Sequence, residues 1–400
     1  MMGRWWKKRN TEVTLLNPVL VGAGSFGKVY GPYDATNIEI FLSRVWRQNV
    51  IHEVRGRKKY IIKIIYRYRS IDRKRSVEIG RIVDRFQKHG TKRWIASLNV
   101  GIIHRNELME MLGKDAVTRK QGYLYEIQEY GGHNLLDVMK DVDIPWTVPM
   151  MLIIWNSIRE ILHIGTQMIE SGYLMSDIKM DNMVIDFSRG IYVIDPEIYP
   201  QMDLFFKEFP TVTPDPFNLP LQFINPVFFS KREIKDLLEI YKERWTGFHE
   251  EVNEYPLTEL MTRTSSMFKT VPRKKEQGLE FIQYMASLSL FYPFMMIMIR
   301  FLQKLPSSLV ASEQLLTNMN LFCRWVIKDR AMIRPTLLIK IMDTVTTSHF
   351  QEVLKNITKR QNPVLLYKSI ASASTSPLRL KKRNVVKEHV VLQDYYEIKK

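Results

Sequence analysis

The hydrophobic pattern changes period once along this chain, near residue 130, and no other feature constrains the fold as much. From about residue 15 to 130, short apolar runs alternate with glycines and charged clusters, as in Leu20-Val21, Val29-Tyr30, Tyr60 to Tyr66 and Tyr123 to Gln128. Runs of that length bounded by turn-forming residues read as strands. One helix is predicted among them, over Ser76 to Phe86, where Val77, Ile79, Ile82, Val83 and Phe86 recur near helical spacing. From about 134 to 360 the pattern is mainly helical. Ile158, Ile161, Leu162, Met168 and Ile169 form one apolar face, and Gly172 is a natural stop. A sheet-rich part followed by a helical part predicts an α+β chain, and 400 residues suffice for two packed lobes.

Composition narrows the chemistry. A hydrophobic fraction of 45% can fill a core of that size. The one cysteine, Cys323, excludes an internal disulfide and a Cys-rich zinc site, and the eight histidines lack metal-ligand spacing. These features, and the lack of a signal-peptide pattern at Met1 to Arg9, predict an intracellular protein of the cytoplasm or nucleus. The most apolar stretch, Met285 to Ile299, is broken by Ser287, Ser289, Tyr292 and Pro293, and falls short of the roughly 20 residues that span a bilayer. It is predicted to be a buried helix, so no integral membrane segment is expected. Lys plus Arg number 59 against 42 Asp plus Glu, a net charge of +17 that favours anionic partners. The basic residues 1–14 read as an extension. Residues 369–400, with Ser369, Ser372, Ser374 and Ser376 ahead of Arg379, Lys381, Lys382 and Arg383, read as a flexible tail. Both termini suit nucleic acid or an acidic surface, although no nucleic-acid motif accompanies the charge.

Gly22-Ala23-Gly24-Ser25-Phe26-Gly27-Lys28-Val29 fits three phosphate-loop templates. A dinucleotide fingerprint needs a helix after the glycines, whereas Val29-Tyr30-Gly31-Pro32 reads as a strand ending in a turn. A Walker A loop needs Ser or Thr after Gly-Lys, and Val29 stands there. The third template, G-x-G-x-x-G-x-V between two strands, matches throughout. Glycines let backbone amides approach phosphate oxygens without a Cβ in the way, and Phe26 could cap them from the loop tip. On this segment alone, a glycine-rich hairpin that binds nothing reads the same way.

Ile61-Ile62-Lys63-Ile64-Ile65 sets one lysine inside an apolar strand. Alternation gives Lys63 the face of Ile61 and Ile65, where an ammonium needs an anion. Glu78, on the following helix, is the candidate on the protein side. The separation of Val29 and Lys63 implies an insertion near residues 33–57. Downstream, Tyr125 to Gly132 reads as a last strand and a hinge, with backbone groups from Glu129 to Gly131 available to an adenine edge. Farther on, Tyr173-Leu174-Met175-Ser176-Asp177-Ile178-Lys179-Met180-Asp181-Asn182 precedes a predicted hairpin: Met183-Val184-Ile185, a turn at Ser188-Arg189-Gly190, and Ile191-Tyr192-Val193-Ile194. Asp177 and Asn182 stand in D-x-x-x-x-N spacing, and Asp195 ends the returning strand.

With these motifs in this order, residues from about 15 to 345 resemble a divergent member of the eukaryotic-type protein kinase superfamily. The resemblance implies a two-lobed kinase fold: an N-terminal antiparallel-sheet lobe with one helix over 15–130, and a mainly helical C-terminal lobe over 131–368. It implies transfer of the γ-phosphate of Mg-ATP to serine or threonine hydroxyls of a protein substrate. Asp177 would be the catalytic base and Lys179 would stabilise the moving phosphoryl group. Asn182 and Asp195 would hold Mg2+. ATP would be bound by Gly22, Ala23, Gly24, Ser25, Phe26, Gly27, Val29, Lys63, Glu78, Glu129 and Gly131. Lys179, two residues after Asp177, resembles serine/threonine kinases more than tyrosine or aminoglycoside kinases. Arg334-Pro335-Thr336 resembles the family's last helix entry, and Met285 to Ile299 its central buried helix.

The departures from the family pattern are specific. Met175-Ser176 replaces the usual His-Arg, and Pro196-Glu197 the usual Phe-Gly. Asn225-Pro226-Val227 stands where Ala-Pro-Glu is expected, and the central helix lacks the family's aspartate. None removes a residue that would handle phosphate or magnesium, and such trimming resembles kinases of large DNA viruses. Ser176 cannot anchor a phosphate, so activity independent of phosphorylation at Thr211 or Thr213 is expected. The alternative reading is a pseudokinase, an interaction module that keeps the fold. A small-molecule phosphotransferase is the third.

Overall fold

The computed structural model describes residues 15–23, 27–54, 56–68, 70–87, 92–141, 143–176, 178–199, 275–329 and 335–360. The chain divides into two compact units, one of Met1–Arg85 with Ile95–Tyr130 and one of Phe86–Trp94 with Gly131–Lys400. Both basic termini, and the segment containing Thr211, Thr213 and Asn225, lie outside the described residues.

The first unit is built on β1 (Leu20–Ala23), β2 (Gly27–Tyr33), β3 (Trp46–Val50), β4 (Tyr60–Ile65), β6 (Asn99–His104) and β7 (Gly122–Glu129). They form one antiparallel sheet in the order β1-β2-β4-β7-β6-β3. The two-residue β5 (Trp94–Ile95) precedes β6. Alternation along β4 divides the sheet's faces. Tyr60, Ile62 and Ile64 are buried with Tyr30, Tyr125 and Ile127, while Ile61, Lys63 and Ile65 lie half-buried on the other face.

The described residues of the first unit form three α-helices where one is expected from the sequence. α1 (Ala35–Arg44) and β3 fill the insertion, and α3 (Arg105–Leu112) follows β6. Ile38 and Phe41 of α1 and Leu108, Met111 and Leu112 of α3 close the core on the Tyr125 face. Asp34 caps α1, its carboxylate accepting from the Asn37 amide at 2.9 Å. Two short amphipathic turns among strand-length apolar runs give too little periodicity to separate helix from strand.

α2 (Ser70–Gln87) covers the opposite face, Val77 packing with Val100 and Leu124. It begins two turns earlier than the apolar pattern predicts, because Ser70 to Arg75 is polar apart from Ile71 and leaves no periodic signal. Gly80 sits against the segment before β6, where a Cβ would come within 2.8 Å of the Ser97 carbonyl oxygen.

In the second unit, β8 (His133–Asn134) leads into α4 (Leu135–Lys140) and α5 (Val148–Glu170). The buried α5 residues include Ile158, Ile161, Leu162, Met168 and Ile169. The helix ends in a Schellman arrangement: the Tyr173 amide donates to the Met168 carbonyl and Gly172 to Ile169, with Gly172 at φ +90°. β9 (Leu174–Ser176), a 3-10 turn at Met180–Asn182, β10 (Met183–Asp186), β11 (Gly190–Ile194) and β12 (Glu197–Tyr199) follow. The remaining described helices are α6 (Lys275–Gln303), α7 (Ser307–Ser312), α8 (Gln314–Asp329), α9 (Pro335–Thr344) and α10 (Phe350–Arg360). The stretch from Leu290 to Ile299 is buried in α6. Pro335 opens α9, where a missing amide costs nothing. Cys323 is buried in α8, and burial pushes its thiol pKa up. Among the described residues no helix is long and apolar enough to cross a membrane.

One arginine ties this unit together. Arg93, 7% exposed, donates through Nε to Glu160 of α5 and through a terminal nitrogen to the Arg189 carbonyl, and stacks 5.0 Å from the Tyr192 ring centre. The Gln87 amide oxygen accepts from the Arg93 and Trp94 backbone amides, and the Arg93 carbonyl accepts from Val193. Replacing it strands a carboxylate and a carbonyl together. Arg93→Met is expected to cost about 3 kcal/mol, read as a lower denaturation midpoint; a midpoint equal to wild type would refute the anchoring role.

Candidate active site

The two units hold different parts of the candidate set, and each is built separately. In the first, strand register lines up residues across the sheet: Gly22 opposes Val29, Val29 opposes Lys63, Lys63 opposes Glu126, and Glu126 opposes Val100. Opposed residues share a face, so this row runs across the α2 side of the sheet. It joins three of the residues expected to bind ATP, Gly22, Val29 and Lys63. A strand, β2, follows the glycines, as the third phosphate-loop template requires, and it continues through Gly31 and Pro32 to Tyr33. Gly24, Ser25 and Phe26 lie outside the described residues.

The glycines are there for different reasons. A Cβ on Gly27 would run into the Ile64 backbone carbonyl, so β2 and β4 pair closely only because the position is glycine. At Gly22 the nearest atom to an added Cβ is the Val29 Cβ at 4.0 Å, an ordinary contact. Packing does not demand glycine at Gly22.

Glu126 was not singled out from the sequence. It is 6% exposed, accepts from the Ser76 hydroxyl of α2 at 2.6 Å, and receives a long contact from the Gln128 amide at 3.4 Å. Its signal was present as a lone acid in the apolar run Tyr123 to Ile127, but only strand register shows that it stands opposite Lys63. Glu78 lies on α2, half-buried. At the end of β7, Glu129 pairs with the Lys58 ammonium at 2.6 Å, and the Tyr130 amide donates to the Lys59 carbonyl. That bond commits one of the backbone groups expected to serve the adenine edge. Gly131 opens the second unit.

In the second unit, two short pairings hold the candidate loop ends. β10 and β11 are antiparallel with Met183 opposite Val193, so Asn182, just before β10, and Asp195, just after Ile194, flank the same end of the hairpin. β9 and β12 pair with Ser176 opposite Glu197. Asp177 follows Ser176 in the chain and lies outside the described residues. Lys179 precedes the 3-10 turn that contains Asn182. Asp195 adopts φ +48°, the one positive value at a described non-glycine residue. Such conformations are costly and collect at functional sites.

The hairpin is fixed from outside as well. The Ser157 hydroxyl of α5 accepts from the Ile191 amide at 2.9 Å and donates to the Ile154 carbonyl. At the turn, the Asp186 carboxylate accepts from the Ser188 amide and hydroxyl at 2.8 and 2.6 Å, and from the Arg189 amide. Partial burial works against the Asp186 carboxylate, but the Ser188 bonds and the Arg189 charge outweigh it and hold its pKa below the usual value.

Among the described residues no group of three or more His, Cys, Asp or Glu could hold a metal ion alone. Asn182 and Asp195 supply hard oxygen donors, one of them anionic. That set suits Mg2+, which takes one or two carboxylates and fills its shell from phosphates and water.

Two variants separate the roles of the glycines. Gly27→Ala is expected to cost about 2 kcal/mol through strand separation, while Gly22→Ala leaves the denaturation midpoint unchanged. Equal stability loss at both would contradict the assignment. At the turn, Asp186→Ala is expected to cost about 1 kcal/mol at neutral pH. A depressed folded pKa gives stability that is complete above the unfolded value of about 3.9 and is lost as pH falls through the folded value. The gap between variant and wild type should therefore close below about pH 4; a gap constant down to pH 2 would rule the carboxylate out.

No protein-family model matches the chain, and the search of curated proteins found no match.

Proposed function

We propose that this chain is an ATP-dependent protein kinase of two-lobed kinase fold that phosphorylates serine or threonine hydroxyls. The observation that carries the reading is the second unit's register: the strand into Asp177 pairs with the strand after Asp195, and Asn182 flanks the same hairpin end as Asp195. The sheet of the first unit supports it, with Lys63 in one transverse row with Gly22 and Val29.

In the proposed reaction the substrate hydroxyl oxygen bonds to the γ-phosphorus while the bond from that phosphorus to the β–γ bridging oxygen breaks, releasing ADP. Asp177 orients the hydroxyl and accepts its proton, and Lys179 stabilises charge on the moving phosphoryl group. Lys63 holds the α- and β-phosphates. The glycine segment directs backbone amides at phosphate oxygens. Asn182 and Asp195 would hold Mg2+, which neutralises charge on the β- and γ-oxygens.

The test is transfer of labelled γ-phosphate to acidic and basic protein substrates. Asp177→Asn is expected to keep ATP binding and lower transfer about 10²- to 10⁴-fold. Asp195→Ala should also remove the magnesium dependence of nucleotide binding. Wild-type rates from either variant would defeat the assignment. Mg-ATP binding without transfer by the wild type would point to an interaction module instead.

A further inference from the structure

The insertion near residues 33–57 is extra to the kinase pattern, and part of it lies against α2. We propose that its segment from Asn49 to His52 is a strap that positions α2, with Ile51 as the main positioning residue. The strap stands without the kinase reading. Its catalytic consequence rests on that reading, because α2 carries Glu78.

Three contacts carry the inference, spread along the helix. Toward the start of α2, the Asn49 amide, turned to suit Arg73, accepts from Nε and a terminal nitrogen of that guanidinium, both at 2.7 Å. At the middle, Ile51 packs against Val77, Val100 and Leu124. It also occupies the space beside Gly80, where an added Cβ would stand 2.7 Å from the Ile51 Cδ1. Toward the end, the His52 Nε2 lies 2.8 Å from the Asp84 carboxylate.

Helical spacing explains how one short segment reaches so far along α2. At about 100° per residue, Arg73, Gly80 and Asp84 fall within roughly 40° of one another and form one stripe about 16 Å long. Glu78 lies roughly 140° around the helix from Arg73, so the strap holds the helix without covering that position. The other side of the strap is fixed to the sheet. β3 pairs with β6, and the Ile51 and His52 amides both donate to the Leu98 carbonyl, at 2.8 and 3.0 Å. The Leu98 amide in turn donates to the Ile127 carbonyl of β7 at 2.7 Å. The segment therefore joins α2 to the strands through side chains on one side and backbone on the other.

In the proposed reaction a glutamate on this helix must stand near the strand lysine that holds the phosphates. A helix held by its own chain takes up that place without a modification to bring it there. The strap thus agrees with the expectation that activity is independent of phosphorylation at Thr211 or Thr213.

Hydrogen exchange of the full chain, followed by mass spectrometry without nucleotide, reads the strap by itself. Ile51→Ala is expected to speed exchange of the α2 amides about tenfold, and Asn49→Ala about threefold, with those of β4 and β7 changed less than about twofold. Ile51→Leu, which keeps the side-chain volume, should stay close to wild type. Equal acceleration in helix and strands would reduce Ile51 to general stability, and unchanged α2 exchange would show that the helix needs no strap; either result overturns the proposal. Asn49, half-buried at the edge strand, provides the variant that keeps the core intact. In transfer assays Ile51→Ala should raise the ATP KM severalfold and lower kcat less, since saturating ATP draws the helix back into place. Unchanged KM and kcat would remove the catalytic consequence. If α2 exchange responds and the wild type transfers no phosphate, the strap stands and the kinase reading falls. If phosphate is transferred and α2 exchange does not respond, the kinase reading stands and the strap falls.

Discussion

Burial of the central strands on both faces is the constraint from which the first unit follows. β4 and β7 lie at the middle of the sheet, with α1 and α3 packed on one side and α2 on the other. Apolar residues satisfy that arrangement almost everywhere. On the α2 face of these two adjacent strands the exceptions are a lysine, a glutamate and a glutamine: Lys63, Glu126 and Gln128. A polar group in such a place is stable only with partners, so Glu126, its donor Ser76 and the closely packed Gly80 set where α2 can rest.

The second unit meets a different demand with similar means. The loop ends beside Asp177 and Asp195, the proposed reactive groups, must be held in place. Here backbone pairing does the holding. β9 and β12 are three residues each, with Met175 opposite Ile198, both buried, and the β10–β11 hairpin is clamped by Ser157 from α5. The His-Arg pair that the kinase resemblance would place before Asp177 is Met175-Ser176 in this chain. Met175 and Ser176 are held by pairing with Ile198 and Glu197, which needs neither charge. Pro196, buried beside the strained Asp195, belongs to the same arrangement.

Arg93 links these devices. Its side chain joins α5, the hairpin turn and the Tyr192 ring, while its backbone joins Gln87 and β11. A guanidinium suits this place because its planar donors can satisfy a carboxylate and a carbonyl at once while its face lies on an aromatic ring. Nothing local distinguishes it from the other basic residues of a chain with net charge +17.

Much of the fold was legible because its signals are local. Strand alternation in Tyr60 to Ile65, the apolar face of α5, the Gly172 stop and the Asp186–Gly190 turn depend on residues a few positions apart, and periodicity reads them directly. Asp177, Asn182 and Asp195 stood out for the same reason, as polar residues at the ends of a short apolar hairpin. Other features depended on register and packing, which no local pattern encodes. The row from Gly22 through Lys63 to Glu126 joins residues of four strands. The polar start of α2 is helical without an apolar repeat of its own, and α1 and α3 are too short to announce themselves. Which residues of α2 meet the sheet is decided by the turn of the helix, which brings Ser76 to Glu126 and Val77 to Val100 and Leu124. That choice is made where Ser76 and Gly80 pack, and it is a property of the tertiary structure alone.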